Sequence, residues 1–232
     1  MEQPPKLLAV DTSGRGARLA ILEGGAVVAR RAHDGRPAEG LLRALTRLLD
    51  EAGWALRDLG LVVVGVGPGS FTGTRVGLAT AKGLALAAGV EVVGVDSLAA
   101  RARSVGGSEV ALLVDAGRGE VYGGAFRCEA GPAVPLRAPF LARPARALEL
   151  LGDLRPVLAD SALGLDLPPA PALDAGALGL EGWLRYQARG GDDPARLEPN
   201  YVRTTDATLP DQPLKIDQAS PSSSVSSSKR DA

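Results

Sequence analysis

Short apolar runs alternate with glycine-rich or polar breaks through most of the chain, which is typical of a mixed α/β protein. The first three apolar runs predict strands at residues 6–10, 17–22 and 26–32. Glycine turns separate them: Gly14 and Gly16 come after the first strand, and the Gly24-Gly25 pair comes after the second. Strands joined by such tight turns pair antiparallel, so the opening of the chain predicts a meander.

Two helices are predicted next, on either side of a buried strand at residues 61–66. The first carries an apolar face that is wider than one sheet contact requires, formed by Leu41, Leu42, Leu45, Leu48 and Leu49. The strand is continuously apolar, as expected for a strand covered on both faces, and Gly67, Pro68 and Gly69 end it.

The second helix, predicted at residues 74–88, has small residues at every fourth position: Gly73, Gly77, Ala81 and Ala85. Residues four apart share one helix face, so this stripe predicts a very close packing contact. The pattern leaves open whether the contact is with the chain's own sheet or with a helix of a partner.

The second half of the chain starts like a shorter copy of the first. Residues 112–117 repeat the pattern of residues 7–14, an apolar strand that ends in an aspartate and a tight turn. Further elements are predicted as strands at 134–137 and 156–159 and as helices at 145–151 and 175–188. A strand at 91–95 precedes a predicted hinge between residues 96 and 108. We therefore predict a first lobe at residues 1–100 and a second, smaller lobe at 101–205. The serine-rich residues 206–232 predict a disordered tail.

Composition narrows the function classes. The 26 basic residues are balanced by 27 acidic ones and aromatic residues make up only 3%, which disfavours an RNA-binding module. The single Cys128 excludes an internal disulfide, and the single His33 excludes a multi-histidine metal centre. No apolar run approaches the length of a membrane span, and no basic region followed by an apolar one opens the chain, so we expect a cytoplasmic protein.

One long motif resembles the signature of a known family. Residues 65–84 read GVGPGSFTGTRVGLATAKGL, and further similarity covers LLAVDTS at 7–13, LLVDAGRGEVYGGAF at 112–126 and PNYVR at 199–203. These stretches resemble the TsaB (YeaZ) family of bacterial proteins of tRNA N6-threonylcarbamoyladenosine (t6A) synthesis.

The resemblance implies a two-lobed, mixed α/β fold of the actin-like (ASKHA, RNase H-like) type, with the last helix crossing back onto the first lobe. It also implies a non-catalytic scaffold or activating subunit. The expected partners are a TsaD-like ligase, which transfers threonylcarbamoyl to the adenosine beside the anticodon, and a TsaE-like ATPase. We expect the isolated chain to form a homodimer, and we expect it to contact tRNA only through the complex. No cofactor of its own is expected, because ATP and a metal would reside on the partner subunits.

A degenerate nucleotide site is a second possibility. Asp11, Thr12 and Ser13 resemble the first phosphate hairpin of actin-like ATPases, and Asp115 with Gly117 resembles the second. Asp11, Thr12 and Ser13 can instead cap their own turn with side-chain hydrogen bonds, and this is the interpretation that the sequence favours. In the family that this chain resembles, the usual pattern has arginine at the position of Gly117, so the role of this position is open. The alternative function is therefore a free-standing ATPase or small-molecule kinase of the actin-like type.

The sequence predicts one interface and neither a catalytic set nor a metal site. Both helices with surplus packing surface are expected to contact the ligase or a second copy of the chain. The predicted interface residues are Leu41, Leu45, Leu48, Gly73, Arg75, Gly77, Ala81, Lys82 and Ala85.

Overall fold

The computed structural model describes residues 4–202, which contain two β-sheets and five α-helices. The strands are β1 (Lys6–Asp11), β2 (Ala17–Glu23), β3 (Ala26–His33), β4 (Leu59–Gly65), β5 (Glu91–Val95), β6 (Glu109–Gly117), β7 (Glu120–Arg127), β8 (Val134–Ala142) and β9 (Val157–Ala159). The helices are α1 (Pro37–Glu51), α2 (Phe71–Ala88), α3 (Ser97–Val105), α4 (Pro144–Leu151) and α5 (Ala175–Arg189). The predicted serine-rich tail lies outside the described residues, as does the last residue of the PNYVR stretch.

The first sheet has the strand order β3-β2-β1-β4-β5. Strands β1, β2 and β3 pair antiparallel, which confirms the predicted meander, while β4 and β5 run parallel to β1. The apolar β4 lies at the centre of two layers, with Val62 and Val64 packed under α2 and Val63 under α5. Its sequence lacks alternation because both of its faces are buried.

The second sheet has the order β8-β7-β6-β9 and repeats the local topology of the first. Strand β6 is antiparallel to β7 and parallel to β9, as β1 is antiparallel to β2 and parallel to β4. The similarity between residues 7–14 and 112–117 is therefore also a similarity of position within two sheets. The boundaries predicted at residues 100 and 205 stay predictions.

The predicted hinge contains a helix that the hydrophobic pattern did not reveal. Helix α3 begins after Asp96, whose carboxylate accepts hydrogen bonds from the backbone N–H groups of Leu98 (2.8 Å) and Ala99 (3.1 Å). Its apolar residues join a core with β6 and β7 of the second sheet. A nine-residue helix is too short to show a convincing 3.6-residue period, so the prediction missed it.

Helix α5 follows the second sheet in the chain but packs on the first. Glycines allow the close approach, since a Cβ at Gly182 would lie 2.3 Å from Val63 and one at Gly179 would lie 2.4 Å from Leu22. The segment after α5 stays on the first sheet, where Asp192 N–H donates to Val92 O (2.8 Å) and Asn200 N–H donates to Val66 O (2.7 Å). No helix within residues 4–202 is both long and apolar enough to cross a membrane.

Candidate functional site

A cleft of about 1330 Å³ lies between the two sheets and is the candidate ligand site. Its walls come from both lobes, namely the β1–β2 turn and the start of α2 from the first lobe and the β6–β7 turn from the second. Small-molecule sites usually measure about 300–1,000 Å³, so a ligand of nucleotide size fits this space.

Asp11, at the end of β1, lines the base of the cleft and is only 2% exposed. One carboxylate oxygen accepts hydrogen bonds from the backbone N–H and the hydroxyl of Ser13, both at 3.1 Å, and the other accepts one from the Ser97 hydroxyl at 3.3 Å. Burial raises the pKa of the Asp11 carboxyl above its ordinary value, although these hydrogen bonds act in the opposite direction.

Thr12, which lies between Asp11 and Ser13 in the sequence, points away from the cleft. Its hydroxyl donates to Gly73 O at 2.7 Å, and the residue is fully buried under the first turns of α2. The prediction that Thr12 contacts a nucleotide is therefore wrong, because side chains alternate between the two faces of a strand and its end. Thr12 instead holds α2 against β1.

Asp115, on the second-lobe wall, is the counterpart of Asp11. Its carboxylate accepts from Gly117 N–H at 2.8 Å, and its own N–H donates to the Asp160 carboxylate at 3.0 Å. Gly117 shapes the turn and does not line the cleft, whereas its neighbour Arg118 does. Asp11, Ser13 and Asp115 are thus brought together in one cleft, and Gly117 is not among its lining residues.

Sequence reasoning missed the arginines of this cleft, which are Arg15, Arg18, Arg101 and Arg118. A signal for two of them is present, because Gly-Arg-Gly occurs at 14–16 and again at 117–119, directly after the repeated aspartate strands. Arg101 pairs with Asp160 at 2.6 Å and Arg18 pairs with Asp34 at 3.1 Å.

The close-packing stripe of α2 is used inside the chain. A Cβ at Gly73 would lie 2.1 Å from Thr12 O, and one at Gly77 would lie 2.1 Å from Thr12 Oγ1. Ala81 and Ala85 are buried against β4 and β5. The prediction that these four residues form a groove for another helix is wrong, because β1 and β4 of the same chain already pack into that groove.

Most of the leucine face of α1 is likewise internal, and Leu42 is its one exposed member. Leu41, Leu45 and Leu48 are at most 4% exposed and pack on β1 and β2, so they also cannot contact a partner in this fold. The width of the face is explained by one large core that takes all of these side chains. Of the nine predicted interface residues, Arg75 is exposed and Lys82 is half-buried.

The outward faces of these two helices carry other apolar residues. Leu86 on α2 is 86% exposed and Leu42 on α1 is 60% exposed. At the start of α2, the Arg75 guanidinium lies 3.8 Å from the Phe71 ring centroid, and its Nε donates to the Tyr201 hydroxyl at 2.6 Å. We define the outward helix face as Leu42, Phe71, Arg75 and Leu86.

Within residues 4–202, no group of three or more His, Cys, Asp or Glu side chains is placed so that it could hold a metal ion. Asp11, the buried acid of the cleft, has both carboxylate oxygens engaged by serine donors of the chain itself. Besides Asp11, the polar groups that line the cleft include the carboxylates of Asp115 and Asp160 and four arginines.

Comparison with known proteins gives consistent results. Residues 25–175 match the family model "TsaD: tRNA N6-adenosine threonylcarbamoyltransferase". The "tRNA threonylcarbamoyladenosine biosynthesis protein TsaB" of Bacillus subtilis is 32% identical over 82% of this chain and 84% of its own length. The protein of the same name from Escherichia coli is 36% identical, over 50% of this chain and 53% of that protein.

Solved structures give the same result for the fold. The chain resembles "YeaZ from Pseudomonas aeruginosa" with a TM-score of 0.68 and 30% identity, covering 85% of this chain and 99% of that one. Together with the two separate sheets, this similarity confirms the predicted two-lobed, mixed α/β fold.

Proposed function

Because the chain belongs to the TsaB (YeaZ) family, we propose that it is a non-catalytic subunit that activates a TsaD-like ligase in t6A synthesis. The ligase would transfer the threonylcarbamoyl group, and this chain would support it by contact. The observation that carries the proposal is the similarity to Bacillus subtilis TsaB, which extends over most of both chains.

The cleft supports a role without chemistry of its own. Asp11 is only 2% exposed and its two oxygens accept three hydrogen bonds from Ser13 and Ser97, which favours a structural role for this carboxylate. We infer that Asp11 is a structural acid that fixes the β1–β2 turn against the start of α3. ATP and a metal would then be held by the partner subunits.

The outward helix face is the surface proposed to contact the ligase. Leu86 and Leu42 are large aliphatic side chains left mostly in water, and Phe71 with Arg75 adds an aromatic–arginine pair. Exposed apolar patches of this kind often mark interaction sites, and arginine and aromatic residues often carry much of the binding energy there. The same face would form the homodimer when the ligase is absent, and a TsaE-like ATPase would join the assembled complex.

Substitution of the exposed leucines tests this proposal. Leu86→Glu and Leu42→Glu place a charge in the proposed contact, and each should weaken association with the TsaD-like subunit of the same cell by at least tenfold. Leu148→Glu on α4 is the matched control, because Leu148 is also exposed (39%) but lies in the second lobe. Co-elution on a sizing column with light scattering measures association, and mass spectrometry of tRNA nucleosides measures t6A.

Three results would contradict the proposal. If all three variants associate like the unchanged protein, the contact lies elsewhere. If tRNA from cells that lack this chain keeps its t6A, the role in this modification is wrong. If the chain alone hydrolyses ATP or phosphorylates a small molecule at a rate that Asp11→Asn abolishes, the alternative of a free-standing ATPase or kinase is favoured.

A further inference from the structure

The exposed side of α2 carries a regular stripe of five residues. Phe71, Arg75, Ala79, Lys82 and Leu86 follow one another at steps of four, four, three and four, so they lie on one side of the helix. Four of them are exposed and Lys82 is half-buried. At a rise of 1.5 Å per residue the stripe is about 22 Å long. We call these five residues the α2 stripe.

The order of residue types in the α2 stripe is nearly the same in both directions. An apolar residue stands at each end, a basic residue comes next on each side, and the small Ala79 lies in the middle. Two copies that pair antiparallel about a two-fold axis at Ala79 would place Phe71 of one against Leu86 of the other. The same axis would place Arg75 against Lys82, twice. Self-pairing therefore gains apolar contact and brings like charges together.

The chain itself does not neutralise the two cations of the α2 stripe. The Arg75 guanidinium lies 3.8 Å from the Phe71 ring centroid and donates to the hydroxyl of Tyr201, which are both neutral groups. Lys82 forms neither a hydrogen bond nor an ion pair with any residue from 4 to 202. The sequence of α2 contains no acidic residue. Both charges therefore remain for a partner.

Helix α1, which packs beside α2, supplies no net negative charge to this region. Two of its three acids lie beside arginines, in the pairs Arg36–Glu39 and Arg31–Glu51. The third acid is Asp50, and α1 also exposes two arginines without an acid partner among the described residues, Arg43 and Arg47. The surroundings of the α2 stripe thus leave its positive charge in place.

We propose that Arg75 and Lys82 decide which partner the α2 stripe binds, namely an acidic surface of the TsaD-like ligase in preference to a second copy of the chain. Carboxylates opposite the two cations form ion pairs in the complex with the ligase, whereas the homodimer brings cation to cation on both sides of its axis. Like charges across an interface act against the wrong partner. The inference rests on the proposed subunit role and adds to it the chemistry of the partner surface.

Charge reversal at Lys82 tests the inference, because it should change the two associations in opposite directions. Lys82→Glu should weaken association with the ligase at least tenfold. It should tighten the homodimer at least tenfold, since Arg75 then meets a carboxylate of the other copy. Lys82→Met keeps the length of the side chain and removes its charge, so it should shift both associations in the same directions by a smaller factor. Calorimetric titration with the ligase and analytical ultracentrifugation of the full chain measure the two dissociation constants.

Salt provides a second readout on the unchanged protein. Raising the NaCl concentration from about 0.05 M to about 0.5 M shortens the screening length from roughly 14 Å to roughly 4 Å. Over this range the complex with the ligase should weaken and the homodimer should tighten. The homodimer of Lys82→Glu should instead weaken with salt, because its charge contacts are attractive.

Arg143→Glu is the matched control, because Arg143 is an exposed arginine of the second lobe, and it should change neither association. The inference is overturned if Lys82→Glu weakens both associations, if it does not strengthen self-association, or if Arg143→Glu has the same effects. If Leu86→Glu abolishes ligase binding and Lys82→Glu leaves it unchanged, the inference fails while the subunit role stands. A ligase that does not bind the unchanged chain removes the subunit role and this inference together.

Discussion

Two glycines of α2 should respond in opposite ways to the same substitution. Gly77 faces the sheet, where an added Cβ would lie 2.1 Å from Thr12 Oγ1, and Gly83 faces open space with no atom within 4 Å. Replacing each with alanine adds the same methyl group to the same helix. Gly77→Ala should destabilise the protein and Gly83→Ala should stabilise it.

The structure gives the size of both effects. Thr12 is fully buried, and its hydroxyl is held by Gly73 O, so the new methyl group must displace a hydrogen-bonded side chain that has no room to move. Overpacking costs about 1–3 kcal/mol and a buried hydroxyl without a partner costs about 1–3 kcal/mol more. Alanine regains about 1 kcal/mol of helix propensity at either site. We therefore expect Gly77→Ala to lose about 1–5 kcal/mol and Gly83→Ala to gain about 0.5–1 kcal/mol.

Urea unfolding followed by circular dichroism at 222 nm measures both free energies. With a slope of about 2 kcal/mol per molar urea, the loss at Gly77 lowers the midpoint by about 0.5–2.5 M. A Gly77→Ala variant as stable as the unchanged protein would refute the reasoning, because α2 would then have slack against β1. The partner groove originally predicted from the small-residue stripe would in that case regain support.

Two further predictions concern buried carboxyl groups. Glu181 is almost fully buried and accepts a hydrogen bond from Arg103 at 2.8 Å, so Glu181→Ala should lower the free energy of unfolding by about 3–5 kcal/mol. Glu109→Ala breaks an exposed ion pair with Arg127 and should lower it by less than about 1 kcal/mol. Similar losses for the two variants in urea unfolding would contradict this prediction. Burial raises the pKa of the Asp11 carboxyl above its ordinary value of 3.8, so the folded state favours the protonated acid. The stability that this carboxyl contributes is therefore fully present below pH 3.8 and is lost as the pH rises through the raised pKa. The stability of Asp11→Asn relative to the unchanged protein should therefore rise with pH from about 4 upward in urea unfolding, and a difference that stays constant to pH 8 would count against it.

The sequence by itself determined the elements and much of their order. Apolar runs ended by glycine or proline marked the strands, and the repeat at 112–117 marked the start of a second sheet. The small residues at every fourth position from Gly73 to Ala85 correctly predicted a very close packing contact. Glycine within a helix destabilises the protein unless another element packs closely against that helix face. All of these are local or periodic signals, and a linear sequence carries them directly.

Only the tertiary structure decided what each surface touches. The partner of Gly73 is Thr12, which lies 61 residues away in the sequence, and no periodicity encodes that pairing. Most of the wide leucine face of α1 is explained by the depth of one core, and Leu42 alone of the five predicted leucines stays exposed. The cleft is the clearest case, because Arg15 and Arg118 are 103 positions apart and ordinary turn residues in the sequence. They form one candidate site only because two repeated strand pairs turn the same ends toward a shared space, and that arrangement is a property of the packing between lobes.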